Sequence, residues 1–81
     1  MKIKILYFAA IREKVGKGSE EIEAAEGETL HDTMEKLKSR YPIIADMNES
    51  LLVAVNREYC KRETVLKNGD EVALIPPVSG G

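Results

Sequence analysis

The sequence is poor in the residues on which disulfide, metal and redox chemistry depend, with one cysteine, Cys60, and one histidine, His31. A single cysteine cannot close an internal disulfide, and a single histidine with no second soft ligand near it in sequence cannot anchor a zinc motif, so no metal site is expected. No apolar run approaches the roughly 18 residues of a membrane span, so no membrane association is expected. Nor does one sign of charge dominate: 12 Lys and Arg stand against 14 Asp and Glu, a net charge of −2. The two signs are mixed along the chain and form no basic stripe, which argues against nucleic acid as a partner. The opening Met1-Lys2-Ile3-Lys4-Ile5 is basic and then apolar, but no small-residue cleavage site comes after it and the pattern alternates as a strand does. This reads as a cytoplasmic protein without a signal peptide.

What is present fits one small domain. With 81 residues, 43% hydrophobic and 32% charged, the chain can build a single core but no second domain or enclosed pocket beside it. Function is therefore expected on the surface or at an end.

Lys2 to Phe8 reads as a strand with Ile3, Ile5 and Tyr7 on one face and Leu6 and Phe8 on the other. Ala9 to Val15 suggests a helical turn closing at Gly16 and Gly18. Ser19 to Ala25 alternates as a second strand, antiparallel to the first, with its glutamates solvated. Leu30 to Tyr41 is the clearest helix, because Leu30, Met34, Leu37 and Tyr41 fall at steps of four, three and four on one stripe. Thr29 and Asp32 are placed as a capping box, and Pro42 stops the helix. Residues 42–49 read as loop with at most a short turn around Ile44 to Met47. Leu51 to Val55 is a nearly continuous apolar strand, Asn56-Arg57-Glu58 a turn, and Tyr59-Cys60 a short return strand. Lys67-Asn68-Gly69-Asp70 turns the chain into a last strand, Glu71 to Ile75.

This order implies an α+β fold in which a mixed sheet of about five strands packs on one main helix, with the first strand central and the last parallel to it. That is the β-grasp arrangement of ubiquitin, and a fold alone gives no function. The chain divides into a domain at residues 1–75 and a tail at residues 76–81.

The tail, Pro76-Pro77-Val78-Ser79-Gly80-Gly81, carries the chemistry. Two prolines lack backbone donors, end the sheet and project the last four residues away from it. Two glycines have no Cβ and can thread a narrow channel in another protein. A carboxylate at the end of such an arm is a poor electrophile, but as an acyl-adenylate it acquires a leaving group, and attack by a sulfur nucleophile yields a thiocarboxylate.

The stretch from Leu66-Lys67-Asn68-Gly69-Asp70-Glu71 through Pro76-Pro77-Val78-Ser79-Gly80-Gly81 closely resembles the small subunits of molybdopterin synthases. Tyr7-Phe8-Ala9, Ile11-Arg12-Glu13, Val15-Gly16 and Leu51-Leu52-Val53-Ala54-Val55-Asn56 extend the resemblance over the whole chain. It implies that Gly81 is adenylated by a ubiquitin-activating-type enzyme using ATP and magnesium, and takes sulfur from a persulfide-bearing protein. The tail, including Pro77, Val78, Ser79 and Gly80, then inserts into the synthase large subunit and donates sulfur toward the molybdopterin dithiolene. The catalytic acids and bases would belong to the large subunit, with no cofactor permanently bound to this chain. The resemblance also places Tyr7, Arg12, Tyr59 and Ile75 on a partner-binding surface. A carrier for thiamine, a tungsten cofactor or an amino acid, and a protein modifier that joins Gly81 to lysines, use the same adenylate and stay open. Cys60 reads as an inert structural thiol, His31 as a solvated helix residue.

Overall fold

The structure, a computed structural model, describes residues 1–77. The strands are β1 (Lys2–Tyr7), β2 (Ser19–Glu23), β3 (Leu52–Val55), β4 (Glu58–Tyr59) and β5 (Glu71–Ile75), and the helices α1 (Ala9–Val15), α2 (Leu30–Arg40) and α3 (Pro42–Met47). The strands form one sheet in the order β2-β1-β5-β3-β4. β1 runs antiparallel to β2 and parallel to β5, with Ile5 opposite Val72 and Tyr7 opposite Leu74. The middle strand is thus β5, and β1 lies one place to its side. This is the expected β-grasp arrangement, with the parallel pair inside and antiparallel strands at the edges, except that the last strand and not the first holds the central place.

α2 supplies the cover. Leu30, Met34 and Leu37 are fully buried against Ile3, Ile5, Val72 and Leu74, so the apolar helix stripe and one parity of the strands make a single core. The capping box is formed: Asp32 N–H donates to Thr29 Oγ1 at 3.2 Å and Thr29 N–H to Asp32 Oδ2 at 3.0 Å. Those bonds hold the exposed Asp32 carboxyl below its ordinary pKa. The segment between β4 and β5 closes the same end of the helix, where His31 N–H donates to Arg62 O and Leu30 N–H to Thr64 O, each at 2.9 Å. Groups that a helix start leaves without partners are satisfied there by tertiary contact.

Two local expectations are corrected. Helix begins earlier than the short turn expected around Ile44 to Met47, and only residues 48–49 of the expected loop are turn: Pro42 ends α2 by holding Tyr41 extended (φ −128°, ψ 104°) and then occupies the first turn of α3, which buries Ile44. The same missing N–H that forbids a helix interior suits a helix start. The glutamates of β2 and the turn after it are not uniformly solvated either. Glu28 keeps only 9% of its side-chain exposure and accepts from the Thr33 hydroxyl (2.7 Å), Lys36 Nζ (2.8 Å) and Ala25 N–H (3.1 Å). Burial opposes its charge, but these donors outweigh the opposition and hold its pKa below the usual value.

Candidate functional site

α1, α2 and α3 all lie toward one side of the sheet, so strand residues of the other parity have no layer over them. On this open face stand Leu6 of β1, Ala54 of β3, Tyr59 of β4, and Glu71, Ala73 and Ile75 of β5, joined by Phe8 and Arg57. Together these line a cleft of ≈ 430 Å³. Phe8 remains 43% exposed, Leu52 48% and Tyr59 70%. A contiguous run of large apolar groups left in water is the mark of a surface that another protein covers.

The chain leaves Phe8 through Ala9 in a left-handed conformation (φ 50°), which turns β1 sharply into α1. A second apolar groove, ≈ 620 Å³, opens beyond that turn between Phe8, Ala9, Ala10, Met47 and the segment Ile75-Pro76-Pro77. Phe8 and Ile75 belong to both hollows, so the open face continues without a break to the root of the tail. Pro76 is buried and Pro77 exposed. Val78, Ser79, Gly80 and Gly81 lie outside the described residues.

Of the residues expected on the partner surface, the structure brings Tyr59 and Ile75 together in the cleft. Tyr7 is corrected: it is 2% exposed and belongs to the core. Strand alternation decides this, because a residue two places from Ile5 and four from Ile3 must share their face. Arg12 lies apart from the cleft, on α1, where it lines a separate hollow with Lys17 and Gly18. Its guanidinium packs so closely that a Cβ on Gly18 would stand 3.3 Å from Nε. Phe8, Leu6 and Arg57 were missed; the parity that removes Tyr7 from the open face puts Leu6 and Phe8 on it.

Tyr7 instead anchors a polar cluster beneath the helices. Its hydroxyl and that of Tyr41 donate to the same oxygen, Glu20 Oε2, at 2.5 and 2.6 Å, and the rings meet edge to face at 5.8 Å. Lys17 and Arg40 stand 3.5 and 3.6 Å from Glu20 Oε1. Burial opposes ionisation of Glu20, but the Tyr41 and Tyr7 hydroxyls and the Lys17 cation together lower its pKa. Burial first, and then the bond to this carboxylate, raises the Tyr7 phenol far above its ordinary value.

Cys60 is partly buried, with its Sγ 3.2 Å from Glu58 O, and His31 is exposed at the start of α2. Among the described residues no three His, Cys, Asp or Glu side chains converge as metal ligands, and no helix is long and apolar enough to cross a membrane.

Comparison with known proteins agrees with this geometry. The model of the ThiS family matches residues 5–81. The molybdopterin synthase sulfur carrier subunit of Dictyostelium discoideum is 45% identical over 83 residues, spanning 99% of this chain and 96% of the relative. Among solved structures, a putative molybdopterin converting factor subunit 1 from Pyrococcus furiosus superposes with a TM-score of 0.86 at 35% identity, covering 96% of this chain and 99% of the other. The small archaeal modifier protein 1 of Methanosarcina acetivorans does so with a TM-score of 0.82 at 26% identity, covering 99% and 96%. The family model matched over residues 5–81, together with the full-length relatives, places this chain in the ThiS family, with the molybdopterin synthase sulfur carrier subunits as its relatives.

Proposed function

We propose that this chain is the sulfur-carrying small subunit of a molybdopterin synthase. The observation that carries the reading is the full-length relationship to sulfur carrier subunits, on a domain whose uncovered apolar face leads to the root of the Gly-Gly tail.

In this reading the chain is not an enzyme alone. An adenylating partner of the ubiquitin-activating type uses ATP and magnesium: the Gly81 carboxylate attacks the α-phosphorus, and pyrophosphate leaves. The outer sulfur of a protein persulfide then attacks the acyl carbon and displaces AMP. Cleavage of the remaining sulfur–sulfur bond by a thiol leaves the thiocarboxylate. The open face, through Tyr59, Ile75 and Phe8, docks first this partner and then the synthase large subunit, so the two encounters exclude each other. Pro77, Val78, Ser79 and Gly80 reach into the large subunit, which supplies the acid and base groups for sulfur transfer to the pterin precursor. Arg12, on its separate hollow, is a peripheral contact at most. These encounters take place in the cytoplasm.

The test is intact-protein mass spectrometry of material co-expressed with its adenylating enzyme and a sulfur source. Oxygen should be exchanged for sulfur on the C-terminal fragment, and Cys60→Ala should load equally well. Deleting Gly81 or adding a residue after it should abolish loading with the fold intact. Sulfur found on Cys60 instead would overturn the mechanism. The likeness to an archaeal modifier protein supports a second reading, attachment of Gly81 to lysines of other proteins; higher-mass lysine conjugates in cell extracts would favour it.

A further inference from the structure

The turn between β3 and β4 holds an unusual residue. Val55 pairs with Glu58 across a two-residue loop, and both loop residues, Asn56 (φ 51°) and Arg57 (φ 72°), are left-handed. That is the primed hairpin turn, in which asparagine before glycine is the favoured pair. Asn56 suits its place, because its side chain is tied to the neighbouring turn: Nδ2 donates to Asp70 Oδ1 at 2.8 Å, and Oδ1 accepts from Glu71 N–H at 3.0 Å. Arg57 has no such compensation. Its Cβ crowds the backbone where glycine would not, and its guanidinium forms no ion pair with any described residue.

The position of that cation gives the strain a purpose. Arg57 forms part of the wall of the open-face cleft with Leu6, Phe8, Ala54, Tyr59 and Ile75. Glu71, the one acidic residue of that wall, stands outside ion-pair range of it. A mainly apolar hollow, with Glu71 its one carboxylate and a forked cation at its edge that has no ion pair among the described residues, is complementary to an apolar side chain flanked by a carboxylate, which a guanidinium grips through two parallel bonds. A strained non-glycine residue at the edge of a binding surface is a place where function has overridden local preference.

We propose that Arg57 is a specificity residue of the open face, held at the cleft rim to pair with a carboxylate of a partner protein whose neighbouring apolar side chain fills the cleft. The inference rests on the sulfur-carrier reading for the identity of the partner. It is tested by measuring the affinity of R57Q, R57K and R57G for the synthase large subunit of the same organism, with Tyr59→Asp as a control on the open face itself. R57Q should bind about tenfold more weakly, equivalent to about 1.4 kcal/mol, and lose part of the salt dependence of association. R57K should stay closer to the wild type. R57G should bind as weakly as R57Q while its melting temperature stays level or rises, because the strain is gone.

R57Q affinity equal to the wild type would overturn the proposal, as would a fall in melting temperature for R57G, which would make Arg57 a structural residue. If the wild-type chain itself failed to bind the large subunit, the functional reading would fall and this inference with it. Wild-type binding with R57Q unchanged would remove this inference alone.

Discussion

The two faces of the sheet use the same strands and nearly the same residue types, and they end in opposite states. On the covered face Ile3, Ile5, Tyr7, Val53, Val55, Val72 and Leu74 are all at most 7% exposed. One residue along each strand, Leu52, Tyr59 and Phe8 retain 48%, 70% and 43% of their exposure. Apolar character therefore does not bury a residue here; its parity relative to the single helical layer does. The open face is itself divided. Near β2 the register sets Lys4 opposite Glu21 and Lys2 opposite Glu23, whereas near β3, β4 and β5 it is apolar. Opposite charges facing each other across strands meet their own needs, so only the second region is left wanting a partner.

The contrast can be broken most strongly from the covered side. Leu74→Ala removes a fully buried side chain from the middle strand, and denaturant unfolding should show a loss of about 2–5 kcal/mol. Binding of a partner should change only as far as the fold does. A destabilisation below about 1 kcal/mol would mean that the helical layer collapses onto the gap.

A smaller loss is expected from Tyr7→Phe, which keeps the ring in the core and deletes one donor to Glu20. A hydrogen bond to a charged acceptor is worth about 1.5–3 kcal/mol, and Tyr41, Lys17 and Arg40 remain beside the carboxylate. The value should fall at or below the low end of that range. Were Tyr7 a direct partner contact, this variant would weaken binding without affecting stability, the opposite of what burial predicts.

The pH dependence of stability sharpens the same point. Glu20 and Glu28 have lowered pKa values in the fold, so the unfolded chain takes up their protons first as pH falls through about 4.3. Their contribution is complete above that pH, declines below it, and is lost once pH passes below the folded-state values. In Glu20→Gln the acid limb of a stability profile should be shallower between pH 5 and pH 2, with little change in slope above about pH 6. An unchanged acid limb would show that the two tyrosines do not favour the ionised carboxylate.

The smallest effect on stability should come from the open face. Tyr59→Asp alters a side chain that is 70% exposed, and stability should stay within about 0.5 kcal/mol. The same change would bury an unpaired charge in any complex that covers this cleft, weakening it by about 2 kcal/mol or more. Titration calorimetry with the large subunit and with the adenylating enzyme measures both losses. Equal loss in both would establish one shared surface, and loss in only one would divide it.

Much of this was legible in the sequence, for local reasons. The α2 stripe, its Thr29–Asp32 capping box and the turn at Lys67-Asn68-Gly69-Asp70 depend on residues within a few positions of one another, and each formed as its pattern dictates. The alternation of Ile3, Ile5 and Tyr7 already placed Tyr7 inward, and it proved a better guide than the family resemblance that put Tyr7 on a docking surface. Thr33 and Glu28 were not legible, since a buried threonine paired with a glutamate five residues earlier looks in sequence like two polar surface residues. Glu20 was hidden for the same reason: its hydroxyl donors come 13 positions before it and 21 after.

By itself, then, the sequence determined the five strands, the capped α2 stripe and the Gly-Gly tail, because period, caps and turn residues act over a few bonds. Only the tertiary structure decided which glutamates are buried, that Phe8 shares one cleft with Tyr59 and Ile75, and that Arg57 stands at the edge of that cleft. Those outcomes depend on which strands become neighbours and on which side the helices lie. Such choices are made by the packing of the whole core, among residues far apart in the chain.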